Sequence, residues 1–423
     1  MRIAIIGSGI SGLASAWRLS KEHEVTLYEA NDYLGGHTHT HAIELDGRGY
    51  RVDTGFIVHN PVHYPLLHAL FDELGVTSRP TTMSFSVRNA GTGLEYNATT
   101  LDTLFCQRRN LLSPRFLGMV RDLTRFYREA PSVLDGPAPG PSLADYLAER
   151  AYGAAFRDEH LIPMASALWS SPAATIMKFP VRYLVRFMAN HQMLQIAGRP
   201  QWQVVEGGSN TYVAAMARRW NVDVRLGCAV FRVARHEGHV EVQTFADTQS
   251  FDHVVLACHS DQALRLLGDA SDREHEILGA IPYQRNDTVL HTDASVLPRR
   301  RKAWAAWNAV IPATPDDQCT VSYHMNQLQG IDSPRPLIVS LNQTATIDPA
   351  HVLRRMSYAH PVYTHASVRA QARKAEIQGQ RRTWFAGAYW GWGFHEDGMR
   401  SAAEVVSALS GHRAAHDAER VPA

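Results

Sequence analysis

Gly7, Gly9 and Gly12 stand between a short apolar run, Arg2 to Ile6, and an Ala- and Leu-rich stretch through Leu13, Ala16 and Leu19. Glycines at this spacing can hold a pyrophosphate. The first allows a tight turn, the second lets backbone approach the phosphates, and the third lets a helix pack closely on a sheet. Ser11 sits in the first turn of that helix, where N–H groups point at the anion. Glu29 follows 17 residues after Gly12, at the end of the alternating run Glu24 to Glu29, and an acid there accepts hydrogen bonds from a ribose. A second constellation lies near the other end: Tyr389-Trp390-Gly-Trp392-Gly-Phe394-His395-Glu396. Aromatic rings crowd an imidazole and a carboxylate, a grouping suited to walling an apolar substrate and taking a proton near neutral pH.

These residues need elements to position them. Strand, glycine turn, helix, strand and terminal acid, in that order, predict a βαβ dinucleotide-binding unit. Arg2, the apolar run and Ala14-Ser15-Ala16 imitate a secretory leader, a reading set aside because cleavage would discard the glycines. Segments 303–308 and 320–329 read as strands with polar and aromatic residues in alternation, suited to a pocket floor, with Tyr323 and Asn326 as candidate contacts, and Asn308 and Asn326 each readable either as a structural amide or as a contact to cofactor or substrate. Residues 131–141, rich in Pro and Gly, read as a connection between two helices. Gln107 to Arg128 holds six arginines against one acid and reads as a basic amphipathic helix, packing on its domain or resting on an anionic membrane. Of the four lysines only Lys302 lies in a region where one could approach the chemistry, and after Arg299-Arg300-Arg301 it reads as part of a solvated basic turn.

The 423 residues, 45% of them hydrophobic, are enough for two or three domains. A formal net charge of +1 leaves no global basic field, so no nucleic-acid partner is expected. No stretch approaches the roughly 20 apolar residues of a membrane span. Cys106, Cys228, Cys258 and Cys319 lie far apart and fit a reducing, cytoplasmic setting. His37, His39 and His41 would share one face of a strand, but with no HExxH and no cysteine nearby no metal is expected. No second G-x-G-x-x-G unit is evident, so the substrate itself is expected to reduce the cofactor.

The segment after Glu29, Ala30-Asn31-Asp-Tyr-Leu-Gly35-Gly36-His37, resembles the flavin-dependent amine oxidase superfamily, which includes protoporphyrinogen oxidase and phytoene desaturase. The resemblance implies FAD as cofactor. There a Gly-Gly-Arg motif closes over the pyrophosphate; here His37 replaces the Arg. Val52-Asp53-Thr54-Gly55-Phe56 is similar to the family segment beside the flavin ring, and Gly387-Ala388 through Gly398-Met399 is similar to its last FAD motif, where a helix N-terminus meets the pyrimidine ring. Ala388 replaces an acid usual there. The segment from Trp202 to Gly208 looks like the return to the FAD domain, with strands from Val222 to Val233, Val230 beside the adenine, and 251–257 as the last central strand. The implied fold is α/β: a Rossmann-type FAD-binding domain (1–79, 200–262 and 380–423) with a discontinuous α+β substrate domain (80–199 and 263–379).

A narrower resemblance rests on GGHTHT, DTGFIVHN, WAAWN, SYHMNQLQ and YWGWGFHEDG. Together these look like a bacterial subgroup linked to methyl-branched and furan fatty acid synthesis. The implied activity is desaturation of a fatty-acyl chain of a phospholipid, with a cytoplasmic protein resting peripherally on the inner membrane face. His395, Glu396, Tyr323, Asn326 and Tyr389 are the candidates for proton handling or positioning. The alternatives are an amine oxidase, a flavin-dependent isomerase without net redox, and a flavin-bound partner in a lipid-modifying complex.

Overall fold

The computed structural model describes residues 1–169, 171–313 and 320–419, with side chains to residue 411; Cys319 falls outside these. The apolar N-terminal run forms strand Arg2–Ile6, and helix α1 (Ile10–Leu19) follows the glycine turn. The strand lies at the centre of a five-stranded parallel sheet ordered Val222–Arg225, Glu24–Tyr28, Arg2–Ile6, His253–Leu256, Thr383–Phe385. Successive residues of a strand face opposite sides. Ile3 and Ile5 therefore join a core with α1 and helix α2 (Pro65–Leu74), while Ala4 and Ile6 pack against an antiparallel layer of Val230–Arg235, Val240–Thr244 and Thr248–Phe251. Covering both faces requires a continuous apolar run rather than an alternating one.

A second, seven-stranded sheet runs Val352–Pro361, Tyr283–His291, Ile338–Leu341, Val321–His324, Trp307–Ile311, Phe85–Asn89, Glu95–Asn97. Its pairs are antiparallel except Trp307–Ile311 with Phe85–Asn89. Helix α3 (Pro114–Glu129) packs Phe116, Met119 and Phe126 into a core shared with Leu184 and Phe187 of helix Val181–Asn190. The architecture is α/β, and its last helix, α4 (His395–Glu419), packs on α1.

Several local expectations change in the structure. The strand expected over 251–257 covers His253–Leu256, inside the parallel sheet with Thr383–Phe385 beyond it, and Phe251 ends a strand of the antiparallel layer. Segment 303–308 becomes a strand only at Trp307, after a 3-10 turn at Arg301–Ala303. In 320–329, strand Val321–His324 passes into a helical turn, Met325–Leu328. The basic segment 107–128 divides at Ser113, whose hydroxyl accepts from Phe116 N at 3.3 Å and caps α3, with Pro114 at the first helical position. His37 and His39 precede strand Thr40–Leu45, so they do not line one face of it with His41. Residues 131–141 join α3 to helix Leu143–Glu149, as expected.

Candidate functional site

The glycine turn has the form of a phosphate cradle. Gly7 holds φ +101° and donates its N–H to Tyr28 O at 2.9 Å, a backbone that L side chains rarely adopt. A Cβ on Gly12 would lie 1.9 Å from Gly7 O, so only glycine lets α1 start this close to the sheet. Gly9 caps α1 without a side-chain hydrogen bond, and a Cβ on it would meet no atom within 4 Å. The first N–H groups of α1 thus have room for an anion beside them. Gly35 and Gly36 fold over this turn: Gly35 N donates to Ser8 O at 3.1 Å, and a Cβ on Gly36 would stand 3.1 Å from Gly9 Cα.

Glu29 is buried where the first two strands end. Its Oε2 accepts from Ser8 N (2.9 Å) and Ser8 Oγ (2.7 Å), and its Oε1 from Asn31 N (2.9 Å) and Nδ2 (2.8 Å). A ribose diol at this carboxylate would exchange with the Ser8 hydroxyl or the Asn31 amide. Ala30 is exposed beside it. Cys228 N donates to Glu29 O at 2.9 Å, which carries the half-buried Val230 to the same end of the sheet.

The C-terminal motif closes the cradle from the other side. A Cβ on Gly398 would lie 2.5 Å from Ile10 Cγ2 and 2.9 Å from Ser11 Oγ, so the N-terminal turns of α1 and α4 meet there. Met399 is buried beside them in the core that holds Leu13. Gly387 N donates to Ser401 Oγ at 3.1 Å. Asp397 fixes the turn before α4 by accepting from Trp392 N and Phe394 N, both at 3.0 Å.

His395 begins α4 and lies flat on Phe56, with ring centroids 3.7 Å apart. Its Nε2 shares a 3.0 Å hydrogen bond with Thr38 Oγ1, which shares another of 2.5 Å with Tyr212 OH. Burial, and then His59 nearby, pull its pKa down to about 3, so the imidazole is neutral at physiological pH. Phe56 N donates to His37 O at 2.7 Å, and a Cβ on Gly55 would stand 2.1 Å from the same oxygen. His37 is held well below the ordinary histidine range by burial first, then by His360, His259 and His395. Its buried Nε2 has no hydrogen-bond partner among the described residues.

Three candidates are committed to the fold instead. The Glu396 carboxylate accepts from Leu66 N (2.9 Å) and Leu67 N (3.1 Å) and so caps α2. Asn326 closes a loop, donating to Ile331 O (3.0 Å) and Ser333 Oγ (2.7 Å) and accepting from Leu337 N (2.7 Å). Tyr389 is buried in the core on the far side of the parallel sheet from His395's neighbour Phe56. Tyr323 is half-buried, its ring edge-on to Trp307 and its OH donating to Ala167 O at 3.3 Å. Asn308 is the structural amide expected, bonded to Ala305 O at 2.6 Å and Ser322 O at 3.1 Å. Sequence reasoning missed Thr38 and Tyr212, since only folding brings them to His395. It also missed the aromatic partners of the C-terminal motif: Phe394 stacks on Phe187 at 5.1 Å, and Trp169 Nε1 donates to Trp392 O at 3.3 Å.

Residues 10–284 match the family of flavin containing amine oxidoreductases. The chain belongs to that family. A 1-hydroxycarotenoid 3,4-desaturase of Flavobacterium sp. is 52% identical over 71 residues, 16% of this chain and 12% of that one. A Mycobacterium tuberculosis protein bearing the name of a flavin-containing monoamine oxidase is 26% identical over 269 residues, 60% of this chain and 56% of its own length. The matched parts thus span well under two thirds of these relatives. Among solved structures, a CLA-producing fatty acid isomerase from P. acnes superposes with a TM-score of 0.67 at 18% identity, covering 96% of this chain and 98% of that one. FAD is the cofactor of this flavoprotein family, and the residues here fit it. Gly9 and the α1 N-terminus offer room and donors for the pyrophosphate, Glu29 for a ribose, the orphaned His37 Nε2 a polar contact, and the α4 N-terminus a site for negative charge.

Proposed function

We propose that the protein is an FAD-dependent oxidoreductase that forms a C=C bond in a lipid-like substrate, a methyl-branched unsaturated fatty-acyl chain of a phospholipid. Bound FAD supplies the hydride acceptor, its N5. The chain's residues then have to hold a C–H bond in place, exclude water and receive a proton. The observation that carries this reading is the neutrality of a cluster of four half-buried histidines around His37. His37, His259, His360 and His395 lie together, and burial, the largest cause for each, keeps all four below the ordinary histidine range. A cluster of uncharged imidazoles suits a hydrocarbon better than an ammonium group. The short but close match to a carotenoid desaturase supports the same class of chemistry.

Within this reading His395 positions rather than ionises. Its bond to Thr38 and the onward bond from Thr38 to Tyr212 fix the orientation of the imidazole against Phe56. The longer match to the mycobacterial monoamine oxidase favours an amine as the second reading.

Mass spectrometry of the acyl chains after incubation of the FAD-loaded protein with such a phospholipid tests the proposal. Loss of two hydrogen atoms per chain is the expected result. A moved double bond at unchanged mass would instead make the enzyme an isomerase, and turnover of an amine panel alone would establish the second reading.

A further inference from the structure

The leucines most exposed in the N-terminal half of the chain gather on one surface. Leu101 is 77% and Leu112 88% exposed, with Leu111 and Leu117 at 49% and 43%. They belong to the short helix Leu101–Leu104, the 3-10 turn Arg108–Leu112 and the first turn of α3. The helix α3 is not itself the exposed apolar element. Its stripe faces inward, and four of its arginines are engaged: Arg115 with Glu159, Arg121 with Asp122, Arg125 and Arg128 with Glu129.

Folding adds a second basic segment to this surface from far along the chain. Asp102 pairs with both Arg108 and Lys302, which fixes the run Arg299-Arg300-Arg301-Lys302 beside the exposed leucines. Segments 101–117 and 299–302 together carry seven cations against the single acid Asp102. A cavity of about 280 Å³ opens between Arg109 and Arg115, lined also by Leu94, Asn110, Ser113 and Phe116 and by Glu159, which pairs with Arg115. Leucines standing out of a cationic ring combine insertion into acyl chains with attraction to anionic headgroups.

We infer that this face, centred on Leu111 and Leu112, seats the protein on an anionic bilayer. It deepens the lipid reading above, which it rests on for the reason to approach a membrane. No helix among the described residues is long and apolar enough to cross one, so the contact is peripheral.

Co-sedimentation with vesicles of phosphatidylglycerol and phosphatidylcholine tests the inference on the full-length FAD-loaded protein. Binding is expected to the mixed vesicles, to weaken steeply with added salt, and to be slight on pure phosphatidylcholine. Leu111→Asp with Leu112→Asp should bind roughly tenfold or more weakly while keeping its flavin spectrum and unfolding temperature. A Lys302→Glu variant should also lose affinity, by charge alone. Failure of the wild type to bind anionic vesicles, or equal binding by the leucine variant, would overturn the inference. Because vesicle binding needs no turnover, failure of the desaturation reading leaves this result readable: a protein that sediments with vesicles yet shows no lipid oxidation would lose the proposed reaction and keep the docking face.

Discussion

The imidazole of His395 lies parallel to the phenyl ring of Phe56, 15° between planes, and this stack joins the first residue of α4 to the segment that follows Asp53. Stacking buries the ring, and burial holds its pKa at about 3. His395→Gln keeps a hydrogen-bonding group for Thr38 and loses the stack. Stopped-flow flavin reduction should slow by about tenfold, the scale of a positioning role, and the wild-type profile should show no inflection attributable to this imidazole between pH 5.5 and 8, roughly the range of ordinary histidine titration. An inflection near 6.5 that vanishes in the variant would make His395 the titrating base after all.

Glu396 illustrates the opposite outcome. With both oxygens on the N–H groups of Leu66 and Leu67, it anchors α2 to α4. Glu396→Ala should cost about 1–2 kcal/mol of stability, as loss of a cap does, seen as a lower unfolding midpoint. The reduction rate per bound flavin should stay within about twofold of wild type, since a cap that never touches substrate removes no transition-state contact.

Gly398 has no room for a side chain against Ile10 and Ser11. Gly398→Val should force the N-terminal turns of α1 and α4 apart and lower FAD affinity by at least about tenfold, a loss of roughly 1.4 kcal/mol, measured by flavin fluorescence titration. Gly118, where a Cβ meets nothing within 4 Å, serves as the control position.

Stability should fall in acid. His59 and His395 are held at about 3, and His160, His191, His291 and His360 at about 4, by burial in every case. Their folded values lie below the unfolded value near 6.5, so unfolding takes up protons between pH 4 and 6.5 and stability drops as pH falls through that window, by up to about 1.4 kcal/mol per unit for each group. Asp53 acts with the opposite sign: burial raises it to about 6, so between its unfolded value of 3.8 and 6 its contribution improves as pH falls. Six histidines outweigh one carboxyl. Thermal unfolding midpoints should decline from pH 7 to pH 5, and a flat profile would contradict the burial of these rings.

The glycine turn, its flanking strands and Glu29 were legible because they form one local unit in which each residue type answers to a backbone need. The site's second half was legible only in part. Asp397 and Gly398 sit where the motif suggests, but Glu396 looked chemical because its partners, Leu66 and Leu67, are brought to it only by packing of α2 on α4. Asn326 misled for a similar reason: in SYHMNQLQ the alternation of polar and apolar residues fits a strand as well as a turn, and the loop to Leu337 settles it. Asp53, within a segment read as flavin-adjacent, instead ties distant parts together, accepting from Thr40, Ser209 and Gln329.

The central claim is that this cradle holds FAD and that a lipid chain reduces it. The most direct measurement is the absorbance spectrum of the purified protein, followed without oxygen as methyl-branched unsaturated phospholipid is added. A flavin spectrum that bleaches as the lipid is added is the predicted result. A flavin that stays oxidised with lipid and bleaches with an amine would contradict the substrate, and a protein that neither carries nor binds FAD would contradict the site itself.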